Sequence, residues 1–211
     1  MISTRKGFVF IHIPKCGGDS ISYALRKFTD DRFIETDKVN DKYFDNFKII
    51  HKHFGEYKHY DLRQYIDSFG TEVIANKFLF TCVRNPYDRM VASYLFTKAL
   101  EGKRRYFSLD EFKQHIREPA MRSMSSYVES KEGLTVDYIN LENFNREFRQ
   151  LCYAMGLKNI RLHHKNKIKQ HHHGYYFDRD TYKIMNDRFA CDFEKFDYKM
   201  IETRPRTCPR T

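Results

Sequence analysis

Tryptophan is absent from the 211 residues, and cysteine is scarce: Cys16, Cys82, Cys152, Cys191 and Cys208. An odd number of cysteines, no two close in sequence, argues against a disulfide framework and a zinc site, and for a reducing compartment. No apolar run is long enough to cross a bilayer, and residues 1–15 hold too short a run for a signal peptide or anchor. Repeats, low-complexity tracts and interdomain linkers are also missing. A single domain over residues 1–203 is therefore expected, with 204–211, a mix of prolines and arginines, as a frayed tail. Negative charge is in deficit: 28 acidic against 38 basic residues leave a net +10. That balance points to anionic partners. Nucleic acid is the rival partner, but the Lys and Arg residues are spread along the chain. Only 103–105 and 163–169 form local clusters, so no nucleic acid is expected.

Against these absences stand 19 Phe and 15 Tyr in a chain that is 41% hydrophobic, enough to fill a three-layer core. Two segments carry chemistry. Residues 8–21 read FVFIHIPKCGGDSI. Phe8 to Ile13 predicts a buried strand that stops at Pro14. Lys15, Cys16 and the pair Gly17-Gly18 predict a turn. An amphipathic helix with Ile21, Leu25 and Phe28 on one face begins at Asp19-Ser20. Strand, lysine-bearing glycine turn and helix N-terminus together suit a phosphate, because backbone N–H groups and the helix dipole converge on it. Glycine lets the backbone come close. The common nucleotide loop is excluded, since it ends in Gly-Lys-Ser/Thr and here the lysine precedes the glycines.

Residues 78–96 read FLFTCVRNPYDRMVASYLF. Phe78 to Val83 predicts a second buried strand with Arg84 at its end, and Pro86 suits the first turn of the next helix. A strand ending in arginine at the carboxyl edge of a sheet lies where open α/β folds bind ligands. Arg89 reads as a solvated arginine or an ion-pair partner of Asp88. Further strands are expected over 47–53 and 134–141. Helices are expected over 58–69, ended by Gly70, over 142–155, stopped by Gly156, and over 178–196. The alternation predicts an α/β fold, a central parallel sheet with helices on both faces.

Pro-Lys-Cys-Gly-Gly-x-Ser-Ile after the Ile-His-Ile strand resembles the 5′-phosphosulfate loop of sulfotransferases, in the carbohydrate-type branch. Arg-Asn-Pro-Tyr-Asp-Arg resembles that family's 3′-phosphate motif. Residues 136–157 resemble its late strand and helix, and 163–196 its C-terminal part. The resemblance implies a P-loop-like three-layer fold. It implies transfer of a sulfuryl group from 3′-phosphoadenosine 5′-phosphosulfate (PAPS) to an acceptor hydroxyl on a saccharide. It also implies 3′-phosphoadenosine 5′-phosphate (PAP) as product and no metal. Lys15, Cys16, Gly17, Gly18, Asp19 and Ser20 would hold the 5′-phosphate, and Arg84 the 3′-phosphate. Lys165, Lys167 and Tyr176 would belong to a basic loop that closes over the cofactor. Golgi members of the family carry a membrane anchor, so a cytoplasmic location is expected here.

Sulfuryl transfer to a hydroxyl needs a base, and histidine suits that task. His51 and His53, two apart at the end of the 47–53 strand, face one side. The resemblance favours His53 as base, with His51 orienting a carboxylate or the acceptor; the plain alternative is a pair of hydrogen-bonded surface groups. His12 reads as a core residue and Cys16 as a small packed one. His171 to His173 splay as consecutive residues do and read as a solvated basic loop, not a metal site.

Two positions depart from the family. Asp19 stands where threonine is usual; its carboxylate either repels the phosphate or turns away to cap the helix. Ala92 stands where a serine is usual, with Ser93 next. Either the helix starts one residue later and Ser93 serves, or the 3′-phosphate has lost a ligand. The rivals are a nucleotide kinase, which would need magnesium, and a non-catalytic module that binds a glycan or other anion without needing Lys15 or His53.

Overall fold

The computed structural model of the chain describes residues 1–30, 57–103, 106–158, 160–162 and 170–202. Among them four strands, β1 (Ile2–Ser3), β2 (Phe8–Ile11), β3 (Phe78–Val83) and β4 (Asp137–Asn140), form one sheet in that order. Phe8 pairs with Phe78 and Val83 with Asn140 in parallel ladders, while β1 runs antiparallel to β2. β2 and β3 are near-continuous apolar runs, as strands covered on both faces must be. Their alternation sends Val9, Ile11, Leu79 and Val83 to one face and Phe8, Phe10, Phe80 and Cys82 to the other.

The helices are α1 (Gly18–Leu25), α2 (Leu62–Phe69), α3 (Thr71–Ala75), α4 (Pro86–Leu100), α5 (Leu109–Arg117), α6 (Ser125–Val128), α7 (Phe144–Ala154), α8 (Arg179–Arg188) and α9 (Ala190–Lys195). Leu62, Tyr65 and Ile66 of α2, Ile74 of α3 and Tyr127 and Val128 of α6 cover the first face. Ile21 and Leu25 of α1 and Phe144, Phe148 and Leu151 of α7 cover the second. A third cluster joins α4, α5, α8 and α9 through Tyr87, Tyr94, Phe112, Met185 and Phe193. The layered α/β architecture is thus the one expected. No helix among the described residues is long and apolar enough to cross a membrane.

Several boundaries differ, each for a local reason. The helix expected over 58–69 starts only at Leu62. The Asp61 carboxylate accepts from Gln64 N at 2.9 Å and the Gln64 side chain accepts from Asp61 N at 3.0 Å, a reciprocal cap that fixes the start. Residues 57–59 instead form a turn, in which His59 has φ 67°. The helix expected over 178–196 breaks at Phe189 into α8 and α9. β4 is shorter than the strand expected over 134–141, and Leu141–Asn143 form a 3-10 turn before α7. The sequence reading did not anticipate β1, α3, α5 or α6. The strand expected over 47–53 and the tail over 204–211 lie outside the described residues.

The parallel register leaves the carboxyl ends of β2, β3 and β4 at one edge. There β2 runs into residues 12–17, β3 into Arg84 and Asn85, and β4 into the 141–143 turn.

Candidate functional site

The turn after β2 is built to a tight fit. Lys15 has φ 67° and Gly17 φ 77°, both in the left-handed region, which glycine adopts readily and lysine does not. A Cβ on Gly17 would come within 2.5 Å of Leu141 Cδ1, and one on Gly18 would overlap the His12 imidazole. The glycine pair is therefore required by packing inside the protein. Cys16 is fully buried, with Sγ 3.6 Å from Met124 Sδ; burial pushes its thiol up to about 11. It contributes packing and not a thiolate.

Both arginines of the second segment reach this turn. Arg84 Nη1 donates to the Lys15 carbonyl at 3.3 Å. Arg89 Nε donates to the Pro14 carbonyl at 3.1 Å and Nη1 to the Arg122 carbonyl at 2.9 Å. Arg89 is only 3% exposed, so neither surface reading of it holds. Its carboxylate neighbour is Asp192 of α9, at 4.0 Å. Asp192 is itself fully buried and accepts from the Met124 and Ser125 amides at 2.8 Å each. Asp88 instead faces His173 Nδ1 at 3.3 Å.

Lys15 Nζ lies 3.0 Å from the centroid of the Phe96 ring, a cation–π contact supplied by the middle of α4. Burial lowers the Lys15 pKa to about 7; Asp19 opposes the shift, and Lys58 and Arg84 add to it. Asp19 does not cap α1. The helix starts at Gly18, its N-cap is Gly17, and no side chain caps it. Asp19 stands in the first turn, with Oδ1 3.2 Å from Lys58 Nζ and 3.8 Å from His12 Nε2. Burial lowers Lys58 to about 8, with Asp19 opposing. His59 donates from Nδ1 to the His12 carbonyl at 2.9 Å, and the two rings lie 4.5 Å apart. Burial lowers His59 to about 4, and holds His12 well below its ordinary value, so both are neutral at pH 7. His12 is the core residue expected.

The edge thus gathers Lys15, Cys16, Gly17, Gly18, Asp19, Ser20 and Arg84. It does not gather Ser93 or Tyr176. α4 begins at Pro86 with the Asn85 side chain capping Tyr87 N, so its frame does not slip by the residue that would bring Ser93 round. Ser93 Oγ lies 3.0 Å from His115 Nε2 and 3.1 Å from Met121 Sδ. Each residue turns a helix by about 100°, which leaves Ala92 in the serine's place. Tyr176 is buried in the third cluster, 5.2 Å from the Phe107 ring, and its hydroxyl accepts from His171 N at 3.4 Å. His173 is buried against Asp88 and Tyr87, so the histidine run is not a uniformly solvated loop. His51, His53, Lys165 and Lys167 lie outside the described residues.

Lys58, His59 and Phe96 are the site residues that sequence reading missed. The signal for the first two was present: Asp61 and Gln64 stand at capping-box spacing, which starts the helix after 61 and leaves 58–59 in the preceding turn. Nothing in the sequence marks Phe96, whose contact is made across the fold. Among the described residues no group of three or more His, Cys, Asp or Glu side chains is placed to hold a metal ion.

A family model described as "Sulfotransferase family" matches residues 1–208. No curated protein and no solved structure matches the chain.

Proposed function

Because the chain belongs to the sulfotransferase family, we propose that it transfers a sulfuryl group from PAPS to an acceptor hydroxyl on a saccharide, at the edge where β2, β3 and β4 end. The convergence of the two motifs carries this reading: Arg84 donates to the carbonyl of Lys15, 69 residues away. The donor set fits an anionic ligand. Lys58 and Arg84 are cationic side chains, Lys15 becomes one by taking up a proton near pH 7, and the N-terminus of α1 bears no side-chain cap.

PAPS, the donor substrate, supplies the activated sulfuryl group, with its 5′-phosphate as leaving group. The backbone amides of Gly17 and Gly18, the Ser20 hydroxyl and the Lys15 ammonium hold that phosphate and take up its growing charge, while the Ser20 amide donates to the Gly17 carbonyl at 3.1 Å. One such donor is worth about 3–4 kcal/mol, roughly 100- to 1,000-fold in rate. Arg84 has further N–H groups beyond the one on Lys15 and holds the 3′-phosphate. His53 takes the acceptor's proton, with His51 as its alternate. A reducing, cytoplasmic setting belongs to the same proposal, and Cys16, Cys82, Cys152 and Cys191 are all free thiols.

The test is a thermal-shift titration with PAP, with ATP plus magnesium beside it. Ligand at 100 times its dissociation constant adds about 2.7 kcal/mol, a rise of roughly 5–10 °C for a domain this size. A rise with PAP alone supports the reading. A rise only with ATP and magnesium favours phosphoryl transfer, and no rise at millimolar PAP favours the non-catalytic module.

A further inference from the structure

Asp19 puts a carboxylate on the first turn of α1, two residues past the N-cap Gly17, where a phosphate-binding loop gains nothing from negative charge. The fold answers it with a lysine. Lys58 Nζ sits 3.2 Å from Asp19 Oδ1, both side chains about one-quarter exposed (23% and 25%). The turn that carries Lys58 is held against the phosphate loop: the neighbouring His59 adopts φ 67°, a conformation uncommon outside glycine, and donates to the His12 carbonyl at the end of β2. Lys58 is close enough to Lys15 to add to the depression of its pKa. His12 Nε2, 3.8 Å from the same carboxylate oxygen, is kept neutral by burial, so it does not neutralise the carboxylate.

We propose that Lys58 is a second cationic ligand for the bound phosphate, and that the Asp19 carboxylate holds it in place as an internal stand-in for that phosphate until one arrives. The chemistry favours the exchange. A phosphate monoester carries up to two negative charges against one for the carboxylate, and an ammonium has three donors to offer. Asp19 would then lower the affinity for phosphate while keeping Lys58 oriented in the empty site. The inference rests on the phosphate site proposed above, though not on the identity of the donor.

The experiment is isothermal titration of PAP and, separately, inorganic pyrophosphate into the wild type, Asp19→Asn, Lys58→Met and the double variant, with the ligand-free melting temperature of each as a check on folding. Asp19→Asn is expected to bind both probes about tenfold more tightly than wild type. Adding Lys58→Met to Asp19→Asn is expected to weaken binding about tenfold or more, the size of a charge-assisted contact. That second comparison decides the matter. If Lys58 only neutralises Asp19, its loss costs less than about twofold once Asp19 is gone, and the proposal is overturned. Unchanged or weaker binding by Asp19→Asn overturns the stand-in role, and failure of all four proteins to bind either probe overturns the whole inference. The expected pattern with pyrophosphate, but with PAP bound no more tightly than pyrophosphate, upholds the Lys58 ligand and sinks the PAPS reading instead.

Discussion

Lys15 is a lysine near its titration point at neutral pH. Burial is the main cause of its pKa of about 7, and the neighbouring Lys58 and Arg84 reinforce it. A bound phosphate favours the protonated amine, so binding and protonation are linked. Affinity for PAP should rise as pH falls from about 9 and level off below about 7, where the free protein already carries the proton. Titrations at pH 6.5, 7.5 and 8.5 in buffers of different ionisation enthalpy should show proton uptake at the upper values and little at the lowest. Lys15→Ala should remove turnover and this pH dependence together while the protein stays folded, because the side chain lies over the Phe96 ring and belongs to none of the three apolar clusters. Arg84→Ala should weaken PAP more than adenosine 5′-phosphate, read as the ratio of the two dissociation constants. A proportionate loss of both would mean that Arg84 serves only to hold the Lys15 carbonyl.

At the scale of elements, the turn after β2 is shaped by what lies behind it. His12 ends the run of β2 and its ring occupies the space where a side chain on Gly18 would go. Gly18→Ala should therefore destabilise the fold by about 1–3 kcal/mol, the usual cost of overpacking. Adding His12→Ala should return part of the lost melting temperature, which a role for Gly18 in ligand approach alone would not produce. In α2, Asp61→Ala removes one half of the reciprocal cap together with the ion pair to Arg122 Nη2 at 2.8 Å, and should cost about 1–2 kcal/mol in chemical denaturation. It should also loosen the 57–59 turn that carries Lys58. In α4 the start of the helix decides which way Ser93 faces. With Asn85 as cap and Pro86 as first residue, Ala92 holds its place eight residues after Arg84 and Ser93 turns to His115. Ala92→Ser should accordingly tighten PAP.

At the scale of the whole molecule, the site depends on a residue far along the chain. Asp192 of α9 binds the 124–125 amides and neighbours Arg89, which in turn holds the Pro14 carbonyl. The C-terminal helix is thus tied through one buried guanidinium to the loop after β2. Asp192→Ala leaves that guanidinium and two amides without their carboxylate, and should cost about 3–5 kcal/mol, seen as a lower denaturation midpoint with an unchanged slope. The net charge of +10 acts over longer range. Association with PAP should slow as ionic strength rises, because salt screens the attraction beyond the Debye length; stopped-flow rates at several salt concentrations measure it.

The sequence by itself determined β2 and β3 and the two motifs that follow them. Unbroken apolar runs such as Phe78–Val83 have only a doubly covered sheet to enter, and the residues that stop them are local: Pro14, the glycine pair, Pro86. Local chemistry also placed Arg84 at a strand end, and a capping box at Asp61 could have been read from four residues. Only the tertiary structure decided which side chains meet. Arg89 became a buried brace because α9 brings Asp192 to it. Tyr176 went into the aromatic cluster and Ser93 to His115 because packing across α4 and α5 fixes which way each faces. Lys58 reached Asp19 because a turn some 40 residues downstream folds back on the end of β2. Such pairings are set by the geometry of distant elements, and the energy that selects them, burial shared across a core, leaves no local mark on the sequence.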